Sequence, residues 1–217
     1  MMKRIRMPAI FVTIACCSHI LSAYEFDFQP LSSLCRIEVQ ISTDFGSGSI
    51  RGTFGKMSGK MNFSPESPNL TTGKINLSSR SLRFGYSKVA YDAHAPDWLD
   101  SSKYPEISFT LQKLDEFSWH GKELRALAVG DLSIKGTNRR VQIPVSVKYY
   151  RAERRKYQGR SGDLIQIQGL FSLSRSQFGL APGDFLGSVL EDINIQFSIT
   201  GASDTVRPFL PSRLFRK

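Results

Sequence analysis

The sequence predicts an all-β fold, a barrel or sandwich with an apolar interior. Three observations carry that reading. Short runs alternate apolar and polar residues, as in Ile193-Asn194-Ile195-Gln196-Phe197-Ser198-Ile199. Successive side chains of a strand face opposite sides, so each such run buries one face. Glycines and the Ser64-Pro65 pair punctuate the runs, and two glycine-rich stretches, IRGTFGKMSGKMNFSP from Ile50 and VGDLSIKGTNRRVQIPV from Val129, read as strand–turn–strand.

Taken in order, the chain opens with Lys3, Arg4 and Arg6, followed by an apolar stretch from Met7 to Cys17 and a small residue, Ala23, before Tyr24. This reads as a signal peptide over residues 1–23, too short to anchor as a membrane span. A short N-terminal membrane helix, or a lipoprotein cut before Cys16, are the alternatives; Thr13 disfavours the second. Export predicts a periplasmic protein. Removing the segment takes away three basic residues and no acidic one, lowering the net charge from +10 to +7. Roughly 190 residues remain, enough for one domain with a sizeable core. Cys35 is then the lone cysteine, so no intrachain disulfide staples the fold.

The first strand reads as Cys35 to Ile41, with Cys35, Ile37, Val39 and Ile41 on one face. Further alternating runs follow at Ile75–Ser78, Ile107–Leu111, Leu132–Ile134, Val141–Val147, Ile165–Gln168 and Ile193–Ile199, giving eight or nine strands. Pro144 restricts its strand to an edge or bulge at that point. One segment, Ser87–Lys103, breaks the alternation; within it Pro96-Asp97-Trp98-Leu99 reads as a short helical turn opened by proline. Residues 204–217 form a basic tail outside the domain, which spans residues 24–203.

Five motifs, in order along most of the exported chain, carry a family resemblance. They are Gly52-Thr53-Phe54 with Gly59–Pro65, Asp92–Asp100, Tyr104-Pro105-Glu106-Ile107-Ser108-Phe109, Gly130–Thr137, and Arg175-Ser176-Gln177-Phe178-Gly179-Leu180. Together they resemble the YceI-like, or polyisoprenoid-binding, family. Arg83-Phe84-Gly85-Tyr86, Ala95 and Gln177 depart from its usual pattern. The resemblance implies an eight-stranded antiparallel lipocalin-like barrel with one short helical excursion. It also implies an opening hairpin at Gly52–Pro65 and a long isoprenoid or similar amphiphilic lipid in the interior, with no other cofactor.

A barrel of that size either fills with side chains or holds one small ligand. The apolar parity nominates Ile37, Val39, Phe54, Phe63, Leu77, Phe109, Leu132, Val145, Phe171, Ile195 and Phe197 as the lining. Asp92, His94 and Trp98 in the excursion either meet a polar head at the mouth or act as a buried clamp and plug. Arg175 either pairs an anionic head or braces the barrel against Asp97 or Asp192. Arg80 and Arg83 are rim contacts or solvated.

Other classes fit less well. With only His94 and His120 after export, no zinc spacing and no nucleophile motif appear, which disfavours an enzyme. Arg151, Arg154, Arg155, Lys156 and Arg160 make the loop 151–160 a candidate polyanion or membrane-surface contact, and export argues against nucleic acid. An outer-membrane barrel lacks its aromatic girdles. A homodimer stays open.

Overall fold

A computed structural model describes residues 23–43, 48–181 and 189–207. The proposed signal peptide and most of the tail lie outside the described residues. Eleven strands form one sheet: β1 (Tyr24–Asp27), β2 (Arg36–Thr43), β3 (Ser49–Phe54), β4 (Met57–Phe63), β5 (Thr72–Ser78), β6 (Leu82–Phe84), β7 (Glu106–His120), β8 (Glu123–Ile134), β9 (Thr137–Tyr150), β10 (Leu164–Ser174) and β11 (Val189–Ala202). Among the described residues, two α-helices, α1 (Ser87–His94) and α2 (Arg154–Gln158), and four short 3-10 helices complete the regular structure.

All pairings are antiparallel, and they close into an eight-stranded barrel. β3 and β4 do not pair with each other. They are two halves of one bent strand, parted at Gly55-Lys56: β3 pairs with β2 and β6, β4 with β1 and β5. Counted as one, they join β2, β5 and β7 to β11 in a ring that closes between β11 and β2. The hairpin expected at Gly52–Pro65 is therefore corrected to a bend. Gly55 Cβ would stand 3.6 Å from the Ser81 carbonyl, and the Gly55 N–H donates to that oxygen, so the chain turns against the β5–β6 connection. The stretch from Val129 is a true hairpin. β8 and β9 pair from Ile134↔Thr137 outward, and Lys135 and Gly136 both take positive φ, 49° and 76°, as a tight two-residue turn between right-twisted strands requires.

The excursion is helical earlier than expected. α1 precedes proline, and Pro96–Leu99 is a single turn in which the Trp98 N–H donates to Ala95 O at 3.1 Å. The excursion is tied to the 79–82 connection, where Ser79 Oγ donates to Tyr104 O at 2.7 Å. Asp204–Arg207, the start of the expected tail, packs on the barrel: Arg207 is buried, its Nη2 donating to both Glu66 oxygens at 2.5 and 2.7 Å.

The inward residues form two buried clusters. One, at the β1 end, gathers Phe26, Phe28, Phe63, Leu124, Val147 and Ile165. The other, under α1, gathers Ile41, Leu82, Val89, Trp98, Leu99, Phe178 and Leu180.

Candidate functional site

Between the two clusters lies a cavity that runs along the barrel. Phe54, Leu77, Phe109, Val141, Phe171 and Ile195 pack against both clusters yet are only partly buried. All but Val141 line the cavity. An inward side chain left half-buried at mid-barrel faces empty space. The lining extends from Phe28, Met61 and Leu114 at one end to Trp98, Leu99 and Leu180 at the other, and on β11 it takes in Ile193, Ile195, Phe197 and Ile199. That stretch of β11 is about 20 Å long at ~3.3 Å per residue.

The centre of a water-sized sphere can occupy about 180 Å³ of the cavity. Spread along that length, and with the ~1.4 Å water radius added, the bore is roughly 3 Å in radius. That matches the cross-section of one hydrocarbon chain better than the broader, rigid section of a fused ring system. The wall supplies almost no polar atom, and the charged ends of the outward-parity Lys60 and Lys74 are exposed.

Glycines keep the bore open. A Cβ on Gly169 would stand 2.5 Å from the Phe197 ring, its direct cross-strand partner. A Cβ on Gly130 would stand 2.8 Å from the Phe109 ring, and one on Gly52 2.6 Å from the Phe84 ring. Each ring lies flat on the wall in the place of a missing side chain. Phe171 meets Phe197 edge-on, centroids 6.4 Å apart.

The profile of the YceI-like domain family matches residues 28–201. The chain belongs to that family. Three solved structures share the fold. The Burkholderia cenocepacia protein BcnA is 19% identical with a TM-score of 0.63, covering 78% of this chain and 97% of its own. The Campylobacter jejuni YceI protein is 16% identical, TM-score 0.59, covering 76% and 91%. A Saccharophagus degradans polyisoprenoid-binding domain, implicated in plant cell wall breakdown, is 11% identical, TM-score 0.61, covering 84% and 99%. No match to a curated protein sequence was found.

In this YceI-like barrel the nominated residues divide. Ile37, Val39, Leu77, Phe54, Trp98, Phe109, Leu132, Val145, Phe171, Ile195 and Phe197 line the bore. Phe63 does not; it is fully buried in the β1-end cluster. Trp98, 3% exposed, closes the α1 end. His94 lies off the bore as a clamp. Its Nε2 stands 3.0 Å from Leu82 O and its Nδ1 2.8 Å from Ser101 Oγ. A carbonyl only accepts, so Nε2 carries the proton and, in the neutral ring, Nδ1 accepts from the serine hydroxyl. Asp92 points along α1, 3.2 Å from Lys88 Nζ.

Arg175 is also away from the bore, and the partner expected for it, Asp97 or Asp192, is corrected to Glu191, 3.8 Å from its Nε. Its Nη1 donates to Leu180 O at 3.0 Å, bracing the 175–180 turn. Glu191 accepts from the Ser174 hydroxyl, from the Ser176 hydroxyl at 2.5 Å and from the Ser176 N–H at 3.1 Å. These bonds, led by Ser174, hold its carboxyl down to a pKa of about 2. Arg80 donates to Ser101 O and Ser102 O and so ties its connection to the excursion, whereas Arg83 donates to Arg80 O and Leu82 O within that connection.

The basic loop is not one free surface. Arg154 is buried, donating to Ser203 O at 2.9 Å and pairing Asp204, and Arg151 Nε donates to Arg207 O at 2.6 Å. Both belong to a polar plug under the β1 end. At its centre Asp163 accepts from the Tyr149 hydroxyl, from Ala152 N–H at 2.7 Å and from Arg207 N–H at 2.9 Å. Burial first, then this carboxylate, raises the Tyr149 pKa.

Sequence reasoning missed Ile41, Ile107, Leu111 and Leu180 as lining, although the first three carry the inward parity. It also missed the glycine seats. The signal for those was present in Gly169 and Gly130, each interrupting an otherwise apolar parity.

Proposed function

We propose that the protein is an exported carrier that holds one linear isoprenoid or similar single-chain lipid in the barrel and leaves it chemically unchanged. The apolar bore carries the reading. It is long, narrow and nearly free of polar atoms, with aromatic rings laid back onto its wall. The S. degradans domain of the same fold is described as polyisoprenoid-binding, which supports an isoprenoid chain in particular. Each prenyl unit brings about five carbons, and at ~0.8 kcal/mol per CH₂ its burial contributes a few kcal/mol before ordering costs.

The clamp supports a non-catalytic role. Both ring nitrogens of His94 are engaged by Leu82 and Ser101, away from the bore, so the histidine has no free valence for a general base at the lipid. The basic N-terminal segment supports export to the periplasm. Arg155, Lys156 and Arg160, on the outer side of the plug, supply a transient contact with an anionic membrane surface.

The test is native mass spectrometry of the protein taken from its own host without detergent. One lipid per chain, released intact on denaturation, is expected. A protein that is empty under those conditions, or one that releases a cleaved lipid, would contradict the carrier reading.

A further inference from the structure

Besides the Gly55-Lys56 bend, the barrel wall is interrupted on its side between β9 and β10. β9 and β10 pair from Tyr150↔Leu164 to Val145↔Gly169, and there the ladder stops. β9 continues to Thr137 paired with β8 alone, and β10 continues to Ser174 paired with β11 alone. The break falls where the sequence weakens a ladder from both sides. Pro144 has no N–H to give, and Gly169 has no side chain to pack. Beyond it, the Arg139 Nε donation to Gln177 O at 3.2 Å ties the far end of the seam.

The bore lies inside the seam, and a groove outside straddles the end of its ladder. Inside, Ile143, Val145, Phe171 and Leu173 line the bore. Outside lies a groove over the same strands, which includes Pro144, Ser146, Gln168, Leu170, Gln196 and Ser198 and has Arg36 and Arg125 at its edges. Bore and groove share Val145 and Phe197 as lining. Leu170 stands on the outer rim 62% exposed, an apolar step beside a polar floor. The barrel ends offer no comparable route among the described residues. Trp98, Leu99 and Phe178 are buried at one, and Phe26, Phe28 and Phe63 at the other, above the Asp163 network. Opening an end breaks packing and hydrogen bonds, whereas parting β9 from β10 beyond Gly169 breaks no ladder bond.

We infer that the lipid enters and leaves the bore sideways, through the β9–β10 seam beside Gly169, with Phe197 as the side chain that must move. The polar end of the chain, a hydroxyl or an acid group, stays in the outer groove among Ser146, Gln168, Gln196 and Ser198. The ligand is therefore a single-chain amphiphile with a small head. This rests on the carrier reading above.

The test bridges the seam. In a Cys35→Ser background, Gln142→Cys and Ser172→Cys place thiols on the exposed outer faces of the two strands. A short bis-maleimide joins them, and the same variant blocked with N-ethylmaleimide serves as control. Uptake of parinaric acid, a fluorescent linear polyene carboxylate, is followed by stopped flow. The bridged protein is expected to fill at least about tenfold more slowly than the control and to reach the same final occupancy, the signature of a gated association step. Equal rates with normal occupancy would overturn the side route and leave the carrier reading intact. No saturable uptake by the control would overturn both.

Discussion

His94→Ala separates a clamp from a ligand contact. The ring joins α1 to β6 through Leu82 O and to the following turn through Ser101 Oγ, at 3.0 and 2.8 Å. Truncation leaves a carbonyl and a hydroxyl without their partner in a half-buried site. Each lost bond costs about 1 kcal/mol, with water reaching the site well enough to keep the penalty near that value, so about 2 kcal/mol of stability is at stake. With a urea slope of about 2 kcal/mol/M, the unfolding midpoint falls by about 1 M. Ser101→Ala alone costs about half as much, and the double variant shows a coupling of about 0.5–1 kcal/mol, because both substitutions remove the same bond. Parinaric acid affinity under native conditions stays within about twofold, since the ring lies off the bore. An unmoved urea midpoint together with a tenfold loss of affinity would refute the reasoning and return His94 to the mouth.

Three further outcomes follow from single sites. Phe109→Asp puts a carboxylate into the apolar bore at a cost of several kcal/mol, and lipid retention and soluble yield should both collapse; normal retention would remove the residue from the wall. Gly162→Ala should destabilise by about 3 kcal/mol, because Gly162 sits at φ 146° and a Cβ would stand 1.9 Å from Ser203 O; an unchanged thermal midpoint would refute that close approach. Glu191, with its pKa lowered to about 2, contributes its brace above the ordinary carboxylate range and loses it as pH falls through about 2. Carboxyl carbon shifts should titrate near that value and rise toward the ordinary range in Ser174→Ala, and a midpoint near 4 in the parent protein would contradict the arrangement.

Alternation made the wall legible. The parity of Ile37, Val39, Phe109, Ile195 and Phe197 was read from sequence, and the structure turns each of them inward. Parity states which face a residue takes and not how far along the barrel it lies. Phe63 shares the inward parity and nevertheless ends in the β1-end cluster, beyond the void. Gly55 looked like a hairpin turn because glycine marks any sharp change of direction; only the pairing partners, β2 and β6 before it and β1 and β5 after it, show a bend. The charged residues were the least legible. Arg154 and Arg207 read as surface charge, but contacts distant in sequence, Arg154 with Asp204 and Arg207 with Glu66, draw both inside. Local composition carries no trace of a partner 141 residues away.

The width of the bore gives the central claim its sharpest test. Parinaric acid bound to the detergent-free protein is displaced at equilibrium by a linear isoprenoid alcohol such as geranylgeraniol or by a rigid sterol of similar hydrophobicity. A bore of roughly 3 Å radius predicts one site per chain, full displacement by the linear alcohol and none by the sterol at the same free concentration. Absence of saturable binding, or equal displacement by the sterol, would contradict a single-chain lipid carrier.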